Sequence, residues 1–295
     1  MPLPWPDYEL LDFGAGRKLE RFGELVLDRP CPAAAREIPH DAALWKTATG
    51  KFMGDRAAEG EWWPPLRKWT TKEWSIRAPE GMSFELSLAA LPSGQVGVFP
   101  EQAASWQWIA QQVTRQARPL KILNLFAYTG ASTLAAASAA VAAGREIEIV
   151  HVDAASSVVE RASRNAEMSQ LTTCNLRWIV EDAMKFCERE VRRGNRYDGV
   201  ILDPPTYGHG LKNEHWTIDD HLLPLLQLCG ELTDRQPAFV LATCHTPQIG
   251  MAELGAYVAD GIFGECGQPP ATGKLMLTTA DGRTLPSGVY ARWPK

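Results

Sequence analysis

The stretch KILNLFAYTGAS at residues 121–132 constrains the fold of this chain more than any other. Ile122, Leu123, Leu125 and Phe126 form an apolar run of strand length, and Tyr128-Thr129-Gly130 reads as a turn. Residues 131–143 are alanine-rich and free of Pro and Gly, so they read as a helix. Strand, glycine turn and helix in succession is how an α/β sheet opens a nucleotide site at the carboxyl end of its first strand. A glycine admits close backbone approach to a ligand. The free amides that open the helix can donate to a carboxylate or phosphate. The stretch has neither the GxGxxG of a dinucleotide site nor the GKS or GKT of a P-loop. A single glycine suits a ligand with one small anionic group near the turn; an ordinary βα unit is the alternative.

At 295 residues the chain has room for two domains or one large one. Its 45% hydrophobic and 22% charged residues are ordinary for a globular protein. No apolar run reaches the ~18 residues of a membrane span. The opening MPLPWPDYELLDF lacks a basic segment followed by an apolar one, so no secretory leader is expected. The six cysteines, at 31, 174, 187, 229, 244 and 266, form no CxxC pair. That argues against a zinc site or a disulfide framework and leads to the expectation of a cytoplasmic protein without a bound metal. The net charge of −5 gives no global attraction to nucleic acid. Local basic groups are Arg67-Lys68-Lys72, Arg115-Arg118-Lys121 and Arg189-Arg192-Arg193-Arg196. The last is read as a solvated helix face, since Glu188 and Glu190 interleave with it, with a phosphate-binding stripe as the alternative.

Residues 1–95 are rich in Pro, Gly and Trp and are expected to form a small β-rich domain. Residues 25–27 read as a short strand. Residues 83–88 alternate, Pro92-Ser93-Gly94 is a turn, and Val96 and Val98 resume the alternation, which predicts a hairpin. Residues 30–65 read mostly as loop. Trp62 and Trp63 beside Pro64-Pro65 are read as part of a tryptophan-filled small core; stacking on bases is the alternative. A helix is expected over 102–117, ended by Arg118-Pro119. From there strands at 121–126, 147–152, 176–180, 199–202 and 238–242 alternate with helices at 131–143, 156–169, 183–193 and 219–228. This alternation predicts a parallel sheet with helices on both faces, over residues 96–295. Residues 274–279, a turn at Asp281-Gly282, and residues 289–293 leave no room for a helix and read as antiparallel neighbours.

In such a sheet the loops after successive strands line one crevice. Tyr128-Thr129-Gly130 follow the first strand. Asp153 ends the second, where a carboxylate can accept both hydroxyls of a ribose; a place near a helix cap is the alternative. Asp182 follows the third strand and suits either an adenine amine or the cap of the next helix. The fourth ends in Asp203-Pro204-Pro205-Thr206-Tyr207-Gly208-His209-Gly210. Two prolines stop a strand and stiffen the loop after it. Such a loop is a good clamp for a planar base, with Asp203 accepting from an amine and Tyr207 bringing a ring. The fifth strand ends in Thr243-Cys244-His245-Thr246.

The ordered set NLFAYTG, VDA, EDA, ILDPPTYG and LATCHT resembles the class I S-adenosylmethionine-dependent methyltransferases. Within them it most resembles the bacterial large-subunit ribosomal RNA cytosine carbon-5 methyltransferases, from about Gly97 to the C-terminus. The resemblance implies a Rossmann-like seven-stranded sheet whose last strand runs antiparallel. It also implies S-adenosylmethionine as cofactor and an RNA substrate. Carried over, Tyr128, Thr129 and Gly130 bed the methionine part, flanked by Asn124 and Phe126. Asp153 with Ala154 holds the ribose, and Asp182 with Ala183 faces the adenine. Asp203 and Pro204 sit beside the methyl group and the target base. Phe99 and Gln102 fall in a segment thought to close over the cofactor, and Cys244 falls in the nucleophile's place, with His245 beside it to lower its pKa. Residues 1–80 show no match to the RNA-binding domain usual in that family. The expectation is a methyltransferase acting on carbon 5 of a cytosine in ribosomal RNA, with Cys244, Asp203 and Tyr207 as catalytic residues. The rivals are a base-nitrogen RNA methyltransferase built on the Asp-Pro-Pro loop, a small-molecule methyltransferase, and a non-catalytic cofactor-binding or RNA-scaffold protein.

Overall fold

The computed structural model describes residues 4–54, 60–65, 74–91, 93–209, 215–264 and 269–295. It divides into two units: residues 1–103 with 276–287, and residues 104–275 with 288–295. Arg67, Lys68, Lys72, Pro92, Gly210 and Cys266, singled out above, lie outside the described residues.

The first unit is built on a five-stranded sheet in the order β1 (Tyr8–Gly14), β2 (Arg17–Phe22), β3 (Leu25–Pro30), β4 (Gly50–Met53) and β5 (Glu61–Trp63). Two glycine-containing turns join the first three strands as an antiparallel meander, and β4 then pairs with β3 in parallel. Residues 30–65 are mostly loop among those described, as expected, but they also carry two strands and the short helix α1 (Ala42–Trp45). The segment Met276–Ser287 belongs with this unit because Leu277 and Leu285 pack with Leu10, Phe13 and Ala34. Asp12, fully buried, reinforces that packing. It accepts from the Trp45 indole at 2.7 Å and from Arg283 at 2.6 Å. A buried carboxylate is tolerable only with such partners.

A second hairpin joins β6 (Trp74–Arg77) to β7 (Glu85–Leu88). The expected partner of residues 83–88 was 96–98, and that is corrected. Beyond β7, Ala89 N–H to Val96 O (3.2 Å) and Leu91 N–H to Gln95 O (2.9 Å) link the following residues to that segment. Gly97, at φ +93°, leaves extended geometry there.

In the second unit the apolar runs become β8 (Leu120–Leu125), β9 (Ile147–Asp153), β10 (Asn175–Val180), β11 (Gly199–Leu202) and β14 (Phe239–Cys244). Between them come α3 (Ala131–Ala142), α4 (Ser156–Met168), α5 (Ala183–Arg192) and α6 (Ile218–Leu232), preceded by α2 (Ala103–Arg115). A small hairpin, β12 (Tyr207–His209) with β13 (His215–Thr217), sits between β11 and α6. After β14 come α7 (Met251–Val258), β15 (Ala271–Thr278) and β16 (Thr284–Trp293). The sheet order is β10-β9-β8-β11-β14-β16-β15. The first five strands are parallel, and β16 pairs antiparallel with β14. This is the seven-stranded, Rossmann-like sheet expected from the sequence.

The core of this unit runs through Leu123, Leu125, Val150, Val152, Val200 and Val240 of the strands, with Phe186, Leu222 and Leu226 of the helices. Five of the seven alanines of α3 are buried, so its short side chains let it pack on several faces. The basic groups of α5 and the turn after it are paired: Arg193 meets Glu190 at 3.4 Å, Arg192 meets Glu188 at 4.0 Å, and Arg189 and Arg196 meet Glu181 and Asp234. The chain enters the sheet at β8, builds β9 and β10 to one side, and returns to build β11 and β14 on the other. The switch point between β8 and β11 is where such a sheet opens a crevice for a ligand.

Candidate active site

Four adjacent strands, β9, β8, β11 and β14, end at this crevice. Their last residues and first loop residues are Asp153, Phe126 to Gly130, Asp203 to Tyr207, and Cys244 to Thr246. The sheet therefore gathers at one end segments that lie up to 120 residues apart in the sequence, as the motif order implied.

The turn after β8 is more strained than its single glycine suggests. Phe126 (φ +53°), Tyr128 (φ +50°) and Gly130 (φ +93°) are all left-handed. Such conformations are costly for aromatic residues and persist where surrounding bonds fix them. Two bonds do so. Asp153 Oδ2 accepts from the Tyr128 amide at 2.9 Å, and Asn165 Nδ2 donates to the Thr129 carbonyl at 2.9 Å. The first bond between amide and carbonyl of α3 is Leu134 to Gly130, so the amides of Ala131, Ser132 and Thr133 carry no bond within the helix.

Gly130 is needed for a reason other than the one expected. A Cβ there would sit 3.0 Å from the Cβ of Ala162 on α4 and 3.7 Å from His151, pointing into the protein. The glycine serves the turn's conformation and the approach of α4. Asn124 is likewise corrected. Its side chain is 2% exposed and donates to Thr133 at 2.9 Å, so it supports the turn from behind. Thr133 in turn meets His151 Nδ1 at 3.0 Å.

Asp153 is half-buried, and its other oxygen, Oδ1, accepts from the Ala155 amide at 3.0 Å. Burial raises its pKa, and backbone amides of Ala155, Tyr128 and Ala154 offset part of that rise. It does not cap α4, whose N-cap is Ala155 without a side-chain bond. Each carboxylate oxygen can accept more than one bond, so Asp153 can hold the turn and still receive a hydroxyl. Ala154 beside it is half-buried. Asp182 is the N-cap of α5, with Oδ1 accepting from Lys185 N–H at 3.0 Å, and Ala183 is buried in the first turn. Phe99 and Gln102 lie in the first unit, flanking Pro100 at a short 3-10 turn, with Gln102 buried.

Pro204 is buried and Pro205 exposed. The loop is held by Trp216 on β13, whose indole donates to the Pro205 carbonyl at 2.7 Å and lies 4.8 Å from the Phe126 ring. Trp216 was not foreseen; no sequence signal links it to Pro205, eleven positions before it, or to Phe126, ninety before it. Tyr207 stands on the small hairpin with 74% of its surface exposed.

Asp203 Oδ1 lies 3.4 Å from His245 Nε2. The imidazole is thus turned to the carboxylate, and the expectation that His245 lowers the pKa of Cys244 is corrected. Cys244 is 1% exposed, and burial raises its thiol pKa. The amide and hydroxyl of Thr246 bond to that thiol and oppose the rise, while the nearby Asp203 carboxylate adds to it. The Thr246 hydroxyl also meets that of Thr206 at 2.8 Å, which ties the β14 loop to the Asp-Pro-Pro loop.

The donor set fits a nucleoside with an attached amino acid. A carboxylate stands where ribose hydroxyls are expected, left-handed amides and a helix start can meet an anionic group, and a second acidic loop follows β10. Among the described residues, no group of three or more His, Cys, Asp or Glu side chains is placed to hold a metal ion. No described helix is long and apolar enough to cross a membrane. A hollow of about 620 Å³ at the opposite end of the sheet is lined by the first residues of β8, β9 and β10, away from these groups.

Comparison with known proteins agrees with this geometry. The chain is similar to a crystal structure of the SAM-dependent methyltransferase from Agrobacterium tumefaciens, at 33% identity and a TM-score of 0.86, over 99% of this chain and 92% of that one. It is also similar to ribosomal RNA large subunit methyltransferase I of Aeromonas salmonicida, 30% identical over 97 residues, and of Tolumonas auensis, 31% identical over 93 residues. Those matches cover about a third of this chain, 33% and 32%, and less than a quarter of the relatives, 23% and 22%. Residues 47–254, more than half of the chain, match the model of the S-adenosylmethionine-dependent methyltransferases, and the chain belongs to that family.

Proposed function

We propose that this S-adenosylmethionine-dependent methyltransferase modifies ribosomal RNA, at carbon 5 of a cytosine, with Cys244 as nucleophile. The observation that carries the reading is the buried thiol of Cys244 at the end of β14, with the amide and hydroxyl of Thr246 bonded to it and the Asp203 carboxylate nearby. Support for ribosomal RNA comes from the named activity of the curated relatives that match part of the chain. The described cysteines are all free thiols, which agrees with action in the cytoplasm.

In this reading Asp153 and the turn Tyr128-Thr129-Gly130 hold the cofactor's ribose and amino-acid parts, with Asp182 and Ala183 toward the adenine. When bound, S-adenosylmethionine supplies an electrophilic methyl group. Carbon 5 of cytosine is a poor nucleophile, and the chain's task is to activate it. The Cys244 thiol gives its proton to water as the base arrives, and its sulfur bonds to carbon 6 of the ring. The electron pair of the 5,6 double bond then becomes available at carbon 5. Once carbon 5 carries the methyl group, its proton must leave; Asp203, paired with His245, is the acceptor in reach of the loop. Loss of that proton restores the double bond and expels the sulfur as thiolate. The Thr246 amide and hydroxyl stabilise the sulfur anion both before attack and on departure, which matters because burial disfavours it.

The test is incubation of the purified protein with labelled cofactor and ribosomal RNA from a strain lacking the gene, followed by nucleoside analysis. Label in 5-methylcytidine supports the reading; RNA without label overturns it. One observation favours a second reading: a buried thiol with a raised pKa is a reluctant nucleophile. Methylation of a base nitrogen, with Asp203 accepting from the amine and Tyr207 against the ring, needs no thiolate. Label in an N-methylated nucleoside identifies that route.

A further inference from the structure

In the first unit, alternation along β4 and β5 sends side chains to two faces. Phe52 and Trp62 pair across the strands on the inner face, with ring centroids 5.4 Å apart. Trp62 is 5% exposed, and its indole donates to the Leu91 carbonyl at 2.7 Å. Lys51 and Trp63 pair on the other face, where Asp28 of β3 continues the row. The two adjacent tryptophans therefore have opposite fates: Trp62 is core, as expected, but Trp63 is 62% exposed.

Trp63 borders a hollow of about 550 Å³ whose other walls include Arg17, Asp28, Trp45, Lys51 and Pro64. That volume lies within the ~300–1,000 Å³ of small-ligand sites. Asp28 is buried between two cations: Arg17 through its guanidinium, and Lys51 at 3.4 Å with 43% of its side chain exposed. Two cations around one acid leave the hollow positive, although the whole chain carries −5. Trp45 is fixed there by its bond to Asp12, so one wall is rigid. A flat indole face open to solvent, with an ammonium beside it, is the chemistry that receives an unpaired base and its phosphate.

We propose that the Trp63–Lys51 face of the first unit binds an unpaired nucleotide of the RNA substrate, with the base on the Trp63 indole and the phosphate at Lys51. The inference rests on the RNA reading above and adds a second contact to it, in the unit that does not carry the carboxylates of the cofactor site. Stacking of this kind tolerates any base, so sequence choice is left to the site at the sheet.

The test uses the full chain, a fluorescein-labelled single-stranded oligocytidylate, and the same strand annealed to its complement, read by fluorescence anisotropy. Wild type should prefer the single strand. Trp63→Ala should weaken that binding at least ~5-fold, the low end of the effect of one base stack, and Trp63→Phe should keep most of it. Lys51→Gln leaves Asp28 with Arg17. It should weaken binding and reduce the slope of log affinity against log salt by about one contact. Cofactor affinity, measured by calorimetry, should not change in any of the three. Equal RNA affinity in wild type, Trp63→Ala and Lys51→Gln overturns this inference and leaves the RNA reading standing. A wild type that binds neither RNA and methylates none overturns both.

Discussion

His151 offers a sharp test of how the turn after β8 is supported. It lies on β9, fully buried, with Nδ1 3.0 Å from Thr133 Oγ1 and its ring edge-on to Trp178 at 4.9 Å. Among the described residues, its Nε2 has no hydrogen-bond partner. Burial pushes its pKa down from the ordinary 6.5 to about 3, against a smaller opposing effect of the Tyr128 backbone. The folded state therefore keeps His151 neutral, and the unfolded chain takes up a proton below pH 6.5. Stability should be unaffected above that pH and should fall as the pH drops from 6.5 toward 3. The loss approaches about 1.4 kcal/mol per pH unit, and amounts to about 1.2 kcal/mol between pH 7 and pH 5.5. Urea unfolding followed by far-ultraviolet circular dichroism reports on the helix-bearing second unit. His151→Gln can keep the bond to Thr133 but cannot titrate, and the difference between the two proteins cancels every other ionisable group. If His151→Gln shows the same loss between pH 7 and pH 5.5 as the wild type, or the wild type shows none, the buried neutral histidine is refuted.

Three further outcomes concern the site at the sheet. Asp153→Ala should weaken S-adenosylmethionine binding by ~1.5–3 kcal/mol for each charge-assisted bond lost; unchanged affinity by calorimetry would remove Asp153 from the site. Asp203→Ala should cut turnover on the order of a hundredfold or more while cofactor affinity holds, and a parallel collapse of affinity would move Asp203 to the cofactor's side. Cys244→Ser should cost at least ~4 kcal/mol of transition-state stabilisation, about a thousandfold in rate, and RNA carrying 5-fluorocytosine should trap an adduct with wild type alone. Full activity in Cys244→Ala would reject the covalent route and leave nitrogen methylation.

The second unit was readable because parallel strands buried on both faces are continuous apolar runs. The expected strand at 199–202 matches β11 residue for residue, and that at 147–152 differs from β9 only by Asp153 at its end. The first unit was less readable. Its strands β4 and β5 span four and three residues, too few to show a period of two. The partner of β7 was misplaced for a related reason. Val96 and Val98 have the right alternation and are buried, but Gly97 between them takes a left-handed conformation that pattern alone does not reveal.

At the site, the sequence located the groups, and the structure decided what each one faces. Asp153, Asp203 and Cys244 each end a strand, and strand ends follow from where apolar runs stop. What a side chain touches across the crevice depends on neighbours far along the chain, which spacing does not encode. His245 adjoins Cys244 in sequence, yet successive residues leaving a strand point apart, and its ring meets Asp203 instead. Thr246, two residues on, returns to the thiol and joins Thr206 of the facing loop. The consequence is chemical. An imidazole beside the sulfur would favour a standing thiolate. Burial with two neutral donors and a carboxylate nearby instead leaves a protonated thiol at rest. Any covalent route must then form the sulfur anion only as the base arrives, and the hydrogen bonds of Thr246 are the part of the chain placed to make that possible.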